Sequence, residues 1–166
     1  MSNPLRIVNM LPEHWSSVCA IYQQGLDSNL ATFQTEVPSY DEWHKSHLDD
    51  LRYVAIDSSQ TVLGWVAVSS VSSREVYQGV LEHSLYIAND AKSQGVGQSL
   101  LSHLITQSEA KGYWTLMASI FPENSASIRV HEKLGFRKIG YREKIAKHHG
   151  QWRDTWLYER RSKMVD

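Results

Sequence analysis

The sequence has little cysteine and no long apolar run, and each scarcity excludes a class of protein. Cys19 is the one cysteine among 166 residues, which excludes an internal disulfide framework and a zinc site built from four cysteines. No apolar run approaches the roughly 18 residues of a membrane span. The N-terminal segment MSNPLRIVNM lacks the apolar core of a signal peptide. We therefore expect a soluble, cytoplasmic protein with no membrane partner.

Neither sign of charge is in excess. The chain has 17 Lys and Arg residues against 18 Asp and Glu residues, a formal net charge of −1. Domains that bind nucleic acid usually carry a strongly basic surface, so we expect no nucleic-acid partner. The length fits one domain with a sizeable core, which we expect to span residues 1–166.

Hydrophobic periodicity and turn residues predict strands that precede, interleave with and follow about four helices. The predicted strands are residues 5–8, 53–57, 62–70, 80–87, 113–120, 136–141 and 151–158. Helices are predicted at residues 12–27, 96–112 and 124–135. Another helix begins at the capping box of Ser39 and Glu42 and carries Trp43 and Leu51 inward. With a polar loop at residues 147–150, the class is mixed α/β or α+β with one central sheet.

The strand predicted at residues 80–87 combines apolar and polar side chains. Because side chains alternate along a strand, Glu82, Ser84 and Tyr86 share one face. The other face carries Leu81, His83, Leu85 and Ile87. The alternation therefore predicts that a carboxylate shares one face of this strand with a hydroxyl and a tyrosine ring.

A loop with Gly95 and Gly97 joins this strand to the next helix. The first amides of a helix have no partner within it, and they point outward at the positive end of the helix dipole, which favours a phosphate. The alternative is that the glycines only shape a tight turn. A dinucleotide-binding fingerprint is disfavoured because Leu100 stands where its third glycine would be. A P-loop is excluded because no Gly-Lys-Ser/Thr ends the turn.

Three segments carry a resemblance to a known family. They read Ala-Thr-Phe-Gln-Thr-Glu at residues 31–36, Glu-His-Ser-Leu-Tyr-Ile at residues 82–87, and Asn-Ser-Ala-Ser-Ile-Arg-Val-His-Glu-Lys-Leu-Gly-Phe at residues 124–136. With the glycine loop between them, they resemble the GNAT superfamily of N-acetyltransferases. Within it they are most similar to the phosphinothricin and methionine sulfoximine N-acetyltransferases. The resemblance covers residues 6–160.

The resemblance implies the GNAT fold, a mixed and mostly antiparallel sheet splayed between its middle strands, with acetyl-CoA in the gap and no metal. Lys92 keeps the positive charge with which the family's loop usually begins, whereas Ser93 stands where the family often has glycine. The residues implied in acetyl-CoA binding are Leu85, Tyr86, Ile87, Lys92, Gln94, Gly95, Val96, Gly97, Gln98, Asn124 and Ser127.

The implied reaction is direct attack of an amine on the thioester, and the amine must first lose a proton. Glu82 matches the family's Glu-His-Ser motif and is the candidate general base; the alternative is an ion pair on a polar face. His131 stands where the superfamily commonly has tyrosine and is the candidate general acid for the CoA thiolate. The alternative for His131 is packing with a structural hydrogen bond. A main-chain amide near residues 85–87 is expected to stabilise the oxyanion.

The implied acceptor pocket lies near the segment between the first two helices. Phe33 and Thr35 come from that segment, with Tyr86 on the strand, and the alternative is a surface loop held by a buried Phe33. Arg74 precedes the strand of Glu82 and is expected to bind the carboxylate of an amino-acid-like acceptor. His44 and His47 lie three residues apart, but without a third ligand we expect them to be solvated.

The resemblance thus implies an acetyl-CoA-dependent N-acetyltransferase for phosphinothricin, methionine sulfoximine or methionine sulfone, or for another small amine. The alternative from another class is a non-catalytic module that binds or senses acyl-CoA, which has no use for a base at Glu82. Relatives of this kind often pair as homodimers, and Trp152 and Trp156 could contribute to such an interface.

Overall fold

The computed structural model describes residues 4–166, whose strands form one seven-stranded sheet. In chain order the strands are β1 (Arg6–Asn9), β2 (Tyr53–Ile56), β3 (Val62–Ser70), β4 (Val80–Ile87), β5 (Thr115–Ile120), β6 (Arg137–His148) and β7 (Gln151–Arg161). The α-helices are α1 (Trp15–Asp27), α2 (Tyr40–Ser46), α3 (Val96–Ala110) and α4 (Ser125–Lys133). None of the helices in the described residues is long and apolar enough to cross a membrane.

The sheet opens between its fourth and fifth strands. Its order is β1-β2-β3-β4-β5-β7-β6, and every neighbouring pair is antiparallel except β4 with β5. These two parallel strands pair only from Val80 opposite Thr115 to Glu82 opposite Met117. Beyond that point they continue to Ile87 and Ile120 without pairing. The splayed central sheet that the resemblance implies is therefore confirmed.

The two faces of the sheet carry separate apolar cores. Leu81 and Leu85 of β4 pack on the face covered by α3 and α4. Tyr86 packs on the opposite face, with Tyr22 of α1 and Trp65 of β3, under α1 and α2. The alternation predicted for residues 80–87 is thus confirmed, and it places the Glu82 and His83 side chains on opposite sides of β4.

The second helix is shorter than predicted. It ends at Ser46, and Leu51 lies in the following connection, where it is 2% exposed and has a φ of +59°. The cause is the buried guanidinium of Arg52, which donates hydrogen bonds of 3.1 Å to the carbonyls of His44 and His47. Because these bonds satisfy carbonyls that a longer helix would use, the helix can end early.

The last hairpin is longer than predicted. β6 extends to His148, so the polar loop expected at residues 147–150 is reduced to the turn of His149 and Gly150. Nearly all of β6 is exposed at the edge of the sheet, and its polar side chains hide the pattern by which buried strands are recognised. The register also shifts between Arg142 and Ala146, where Lys144 has a φ of +46°.

Candidate functional site

A cavity of about 540 Å³ lies where β4 and β5 part. It reaches both sides of the sheet, because its walls include residues of β4, β5, α4, the loop before α2 and the β6–β7 hairpin. The site residues predicted from the sequence that line it are Phe33, Glu82, Leu85, Tyr86, Asn124, Ser127 and His131. Residues far apart in the chain are therefore brought together at the gap that the fold creates.

Other predicted site residues lie outside this cavity wall. Thr35 is exposed in the loop between α1 and α2, and Ile87 lies at the far end of β4. Arg74 is also exposed, with its guanidinium carbon 5.4 Å from the centroid of the Tyr77 ring. The 3-10 turn Glu75–Tyr77 separates Arg74 from β4, so nearness in sequence does not place it in the cavity.

The loop before α3 presents backbone amides without partners. In residues 4–166, no carbonyl or side chain accepts a hydrogen bond from the amides of residues 94–98. The amide of Ser99 is the next in the chain, and it donates to the Gly95 carbonyl at 3.0 Å. Lys92 is exposed beside this loop, which carries Gln94 and Gln98 as well. The amides, the helix dipole and the lysine together fit a pyrophosphate.

The backbone conformation and the packing of this loop show what each of its residues contributes. Gly95 has a φ of +80° and Ser93 a φ of +62°, so Ser93 adopts the left-handed conformation that glycine adopts most readily. Val96 is 2% exposed in the core, which leaves only its amide available to a ligand. A Cβ on Gly97 would meet Ile87 at 3.6 Å, an ordinary van der Waals contact, so the packing of α3 on β4 does not require glycine there.

The carboxylate of Glu82 lines the cavity and has no ion-pair partner within the described residues. The cross-strand neighbours of Glu82 are Ser69 and Met117. The Glu82 side chain is accessible through the cavity, but the protein around it displaces water. This desolvation disfavours the charged carboxylate and raises its pKa above the usual value, and the positive charge of Arg142 partly opposes the rise. An unpaired carboxylate with a raised pKa is suited to accept a proton.

His131 and His83 form a buried pair across the cleft. The Nδ1–H of His131 donates to the Ser127 carbonyl at 2.7 Å, so its Nε2 accepts the Nε2–H of His83 at 2.9 Å. Nδ1 of His83 is left without a partner. Burial lowers the pKa of both imidazoles and favours their neutral forms. In this arrangement the one N–H of His131 is committed to the backbone of α4.

Asn124 holds the loop that precedes α2 against the start of α4. Its Oδ1 accepts the Ser127 amide at 3.2 Å as the helix N-cap, and its Nδ2 donates to the Leu30 carbonyl at 3.1 Å. Phe33 of the same loop packs edge-on against Phe121, with ring centroids 4.9 Å apart. These contacts fix the loop as one wall of the cavity.

The cavity wall also contains polar residues that were not predicted as site residues, among them His47, Arg142 and Thr155. His47 lines the cavity rather than being solvated, with its ring stacked on Trp43 and its Nδ1 2.8 Å from the Trp43 carbonyl. Arg142 of β6 and Thr155 of β7 lie opposite each other in the hairpin. No local sequence signal marks them, because their position depends on how β6 and β7 pair. The described residues contain no group of three or more His, Cys, Asp or Glu side chains that could hold a metal ion.

Comparisons with known proteins agree with this geometry. A family model described as "Acetyltransferase (GNAT) family" matches residues 15–136. Phosphinothricin N-acetyltransferase of Alcaligenes faecalis is 33% identical over 150 residues, which are 87% of this chain and 76% of that protein. The L-methionine sulfoximine/L-methionine sulfone acetyltransferase of Pseudomonas paraeruginosa is 35% identical over 101 residues, 61% of this chain and 59% of that protein. The crystal structure of a phosphinothricin acetyltransferase from Sinorhizobium meliloti with acetyl-CoA has a TM-score of 0.87 and 28% identity, with 99% of this chain and 91% of that chain covered.

Proposed function

The chain belongs to the acetyltransferase (GNAT) family, and from this membership we propose that it acetylates the α-amino group of a small amino-acid analogue. It is an acetyltransferase that uses acetyl-CoA. The proposal of a small amino-acid analogue as acceptor rests on the cavity at the β4–β5 gap. Of the described residues that line this cavity, Glu82 is the one with a carboxylate. Phosphinothricin, methionine sulfoximine and methionine sulfone are the proposed acceptors, because the relatives' names specify them. We propose that one domain carries out the whole reaction.

The proposed acetyl-CoA site runs from the glycine loop to the cavity. Acetyl-CoA supplies a thioester, whose carbonyl carbon is the electrophile of the reaction. The amides of residues 94–98, with Lys92, would bind its pyrophosphate. Along residues 83–87 the edge of β4 that faces β5 is unpaired, so amides there are free to donate to the thioester oxygen as it gains negative charge.

Glu82 is the proposed general base. An ammonium group has no lone pair with which to attack, so the acceptor must lose a proton before the amide bond forms. The Glu82 carboxylate lines the cavity beside the β4–β5 gap and has no ion-pair partner within residues 4–166, so it is free to take that proton directly or through water.

The role of His131 as general acid stays a prediction. To protonate a thiolate, its ring would first have to hold a second proton, and burial opposes this by lowering the pKa of His131. The hydrogen bonds to Ser127 and His83 already occupy both ring nitrogens. The proposal for the chemical step therefore depends on Glu82 and not on His131.

We also propose that two copies of the chain associate through the β6–β7 hairpin. Trp152 is 56% exposed, and β6 of the same hairpin exposes the apolar side chains of Ile139, Tyr141 and Ile145. Apolar side chains grouped on one exposed strand pair are typical of an interface. Analytical ultracentrifugation should give twice the mass of 19.0 kDa, and Trp152→Glu should shift the protein to the monomer. A wild-type protein that sediments as a monomer at all concentrations would contradict this.

The function is tested by measuring release of the CoA thiol from acetyl-CoA with a panel of amines. The panel contains phosphinothricin, methionine sulfoximine, methionine sulfone, the free amino acids, a polyamine and a lysine peptide. We expect turnover with the three amino-acid analogues, and mass spectrometry should find the acetyl group on their α-nitrogen. Binding of acetyl-CoA without turnover on any amine would instead support the sensing module. Turnover confined to the lysine peptide would support a protein acetyltransferase.

A further inference from the structure

Arg142 provides a positive charge in the cavity that is not held in a salt bridge by any described residue. Among the described residues that line the cavity, Arg142 is the one Lys or Arg residue. Glu82 is the one Asp or Glu residue there. The Arg142 guanidinium forms no ion pair within residues 4–166. The three histidines in the wall are His47, His83 and His131, and burial lowers the pKa of each. The cavity therefore presents one fixed cation and one carboxylate.

Thr155 adds an unsatisfied polar group next to Arg142. The two residues lie directly opposite each other in β6 and β7, so their side chains share a face. Thr155 is 4% exposed and its hydroxyl has no hydrogen-bond partner, although the residue lines the cavity. A buried hydroxyl is usually hydrogen-bonded, so the Thr155 hydroxyl is available to a ligand in the cavity. The pair thus places a guanidinium and a neutral hydroxyl side by side in the cavity wall.

The position of Arg142 excludes a role in binding the pyrophosphate. Its charge acts on Glu82, which lies near the start of β4, whereas the free amides follow the end of that strand. A strand rises about 3.3 Å per residue, so the five residues from Glu82 to Ile87 alone separate the two places by roughly 17 Å. An anion held by Arg142 therefore belongs to the acceptor side of the cavity.

We propose that Arg142 binds the α-carboxylate of the acceptor while Glu82 receives the proton from its α-amino group. An α-amino acid carries its two charges on one carbon, which suits a cavity with one charge of each sign. A guanidinium binds a carboxylate through two parallel hydrogen bonds, and so it also orients the amine. This inference rests on the proposed function and makes Arg142, rather than Arg74, the residue that selects amino acids over simple amines.

The experiment compares methionine sulfone with the amine obtained by removing its carboxyl group. For Arg142→Gln we expect kcat/KM for methionine sulfone to fall about 10- to 100-fold, chiefly through KM, because a charge-assisted hydrogen-bond pair is lost. The value for the decarboxylated amine should not change, since that acceptor has no carboxylate to bind. Arg142→Lys should restore part of the loss. Arg6→Gln is the matched control, because Arg6 is exposed on β1 at the other edge of the sheet.

The outcomes separate this inference from the proposed function. If the wild type acetylates methionine sulfone and Arg142→Gln does so with an unchanged KM, the inference is wrong and the proposed function stands. Loss of discrimination in Arg74→Gln instead of Arg142→Gln would likewise overturn it. A wild type that acetylates no carboxylate-bearing acceptor would overturn both. Unchanged binding of acetyl-CoA to Arg142→Gln, measured by calorimetry, shows that the variant is folded.

Discussion

Glu82→Gln is expected to lower kcat/KM for the acceptor by a factor of about 10² to 10⁴, the usual contribution of a general base. The amide has nearly the same shape as the carboxylate, but it cannot accept a proton from the ammonium group. Because Glu82 forms no ion pair in the described part of the chain, the substitution leaves no other side chain unpaired. Release of the CoA thiol measures the loss, and calorimetry should find acetyl-CoA binding unchanged.

The same residue should set the acidic side of the pH profile. Glu82 acts as a base only when ionised, so activity is lost as the pH falls through its pKa. The surrounding protein raises that pKa, and Arg142 lowers it by a smaller amount. As the pH is lowered, kcat/KM should therefore start to fall at a higher pH than it would with a glutamate of ordinary pKa. This decline should be absent from the residual activity of Glu82→Gln.

Glu13→Gln is a suitable control, because it removes the same charge from an exposed site in the short turn before α1, outside the cavity wall. It should retain wild-type activity. If Glu82→Gln stayed within about threefold of the wild type, the loss would be too small for a general base. The proton would then be taken by water or by another group. Loss of acetyl-CoA binding in the same variant would indicate a structural role instead.

The parts of the structure that depend on neighbouring residues could be predicted from the sequence. The capping box at Ser39 forms as expected, since the Glu42 amide donates to the Ser39 hydroxyl at 3.3 Å and the Ser39 amide donates to the Glu42 carboxylate at 3.0 Å. Asn124 caps α4. The alternation along β4 also places Tyr86 on the correct face. Each of these features involves residues at most a few positions apart.

The parts that depend on distant pairing could not be predicted in the same way. Arg142 reaches the cavity because β6 continues beyond residue 141 and pairs with β7 in one register. His47 reaches it because the buried Arg52 ends α2 at Ser46. Arg74 precedes β4 in the chain, but the turn Glu75–Tyr77 separates it from the strand and it is not part of the cavity wall. Sequence distance is a poor guide to a cavity that is lined by segments from α1 to β7.

The paired end of β4 and β5, beyond which the gap opens, begins next to a glycine that no sequence pattern marks. Gly79 immediately precedes β4, and its carbonyl accepts hydrogen bonds from the amides of Trp114 and Thr115 at 2.9 and 3.1 Å. These bonds lie next to the first pair of the parallel strands, Val80 with Thr115. A Cβ on Gly79 would lie 2.0 to 2.3 Å from three ring atoms of Trp114. Real atoms do not approach so closely, so either the ring or the strand must move.

Gly79→Ala is therefore expected to lower the free energy of unfolding by about 3 kcal/mol, at the upper end of what an added methyl usually costs in a packed site. The backbone of Trp114 is held by hydrogen bonds to the Gly79 carbonyl and from the Ser162 amide, so relief requires rotation of the packed indole ring or a shift of the strand. Urea denaturation measures the change. Gly140→Ala is the control: its nearest contact would be Leu157 at 4.0 Å, and we expect a change within about 0.5 kcal/mol. Equal stabilities for the two variants would show that the start of the cleft tolerates a side chain, and that Gly79 does not fix where β4 and β5 begin to pair.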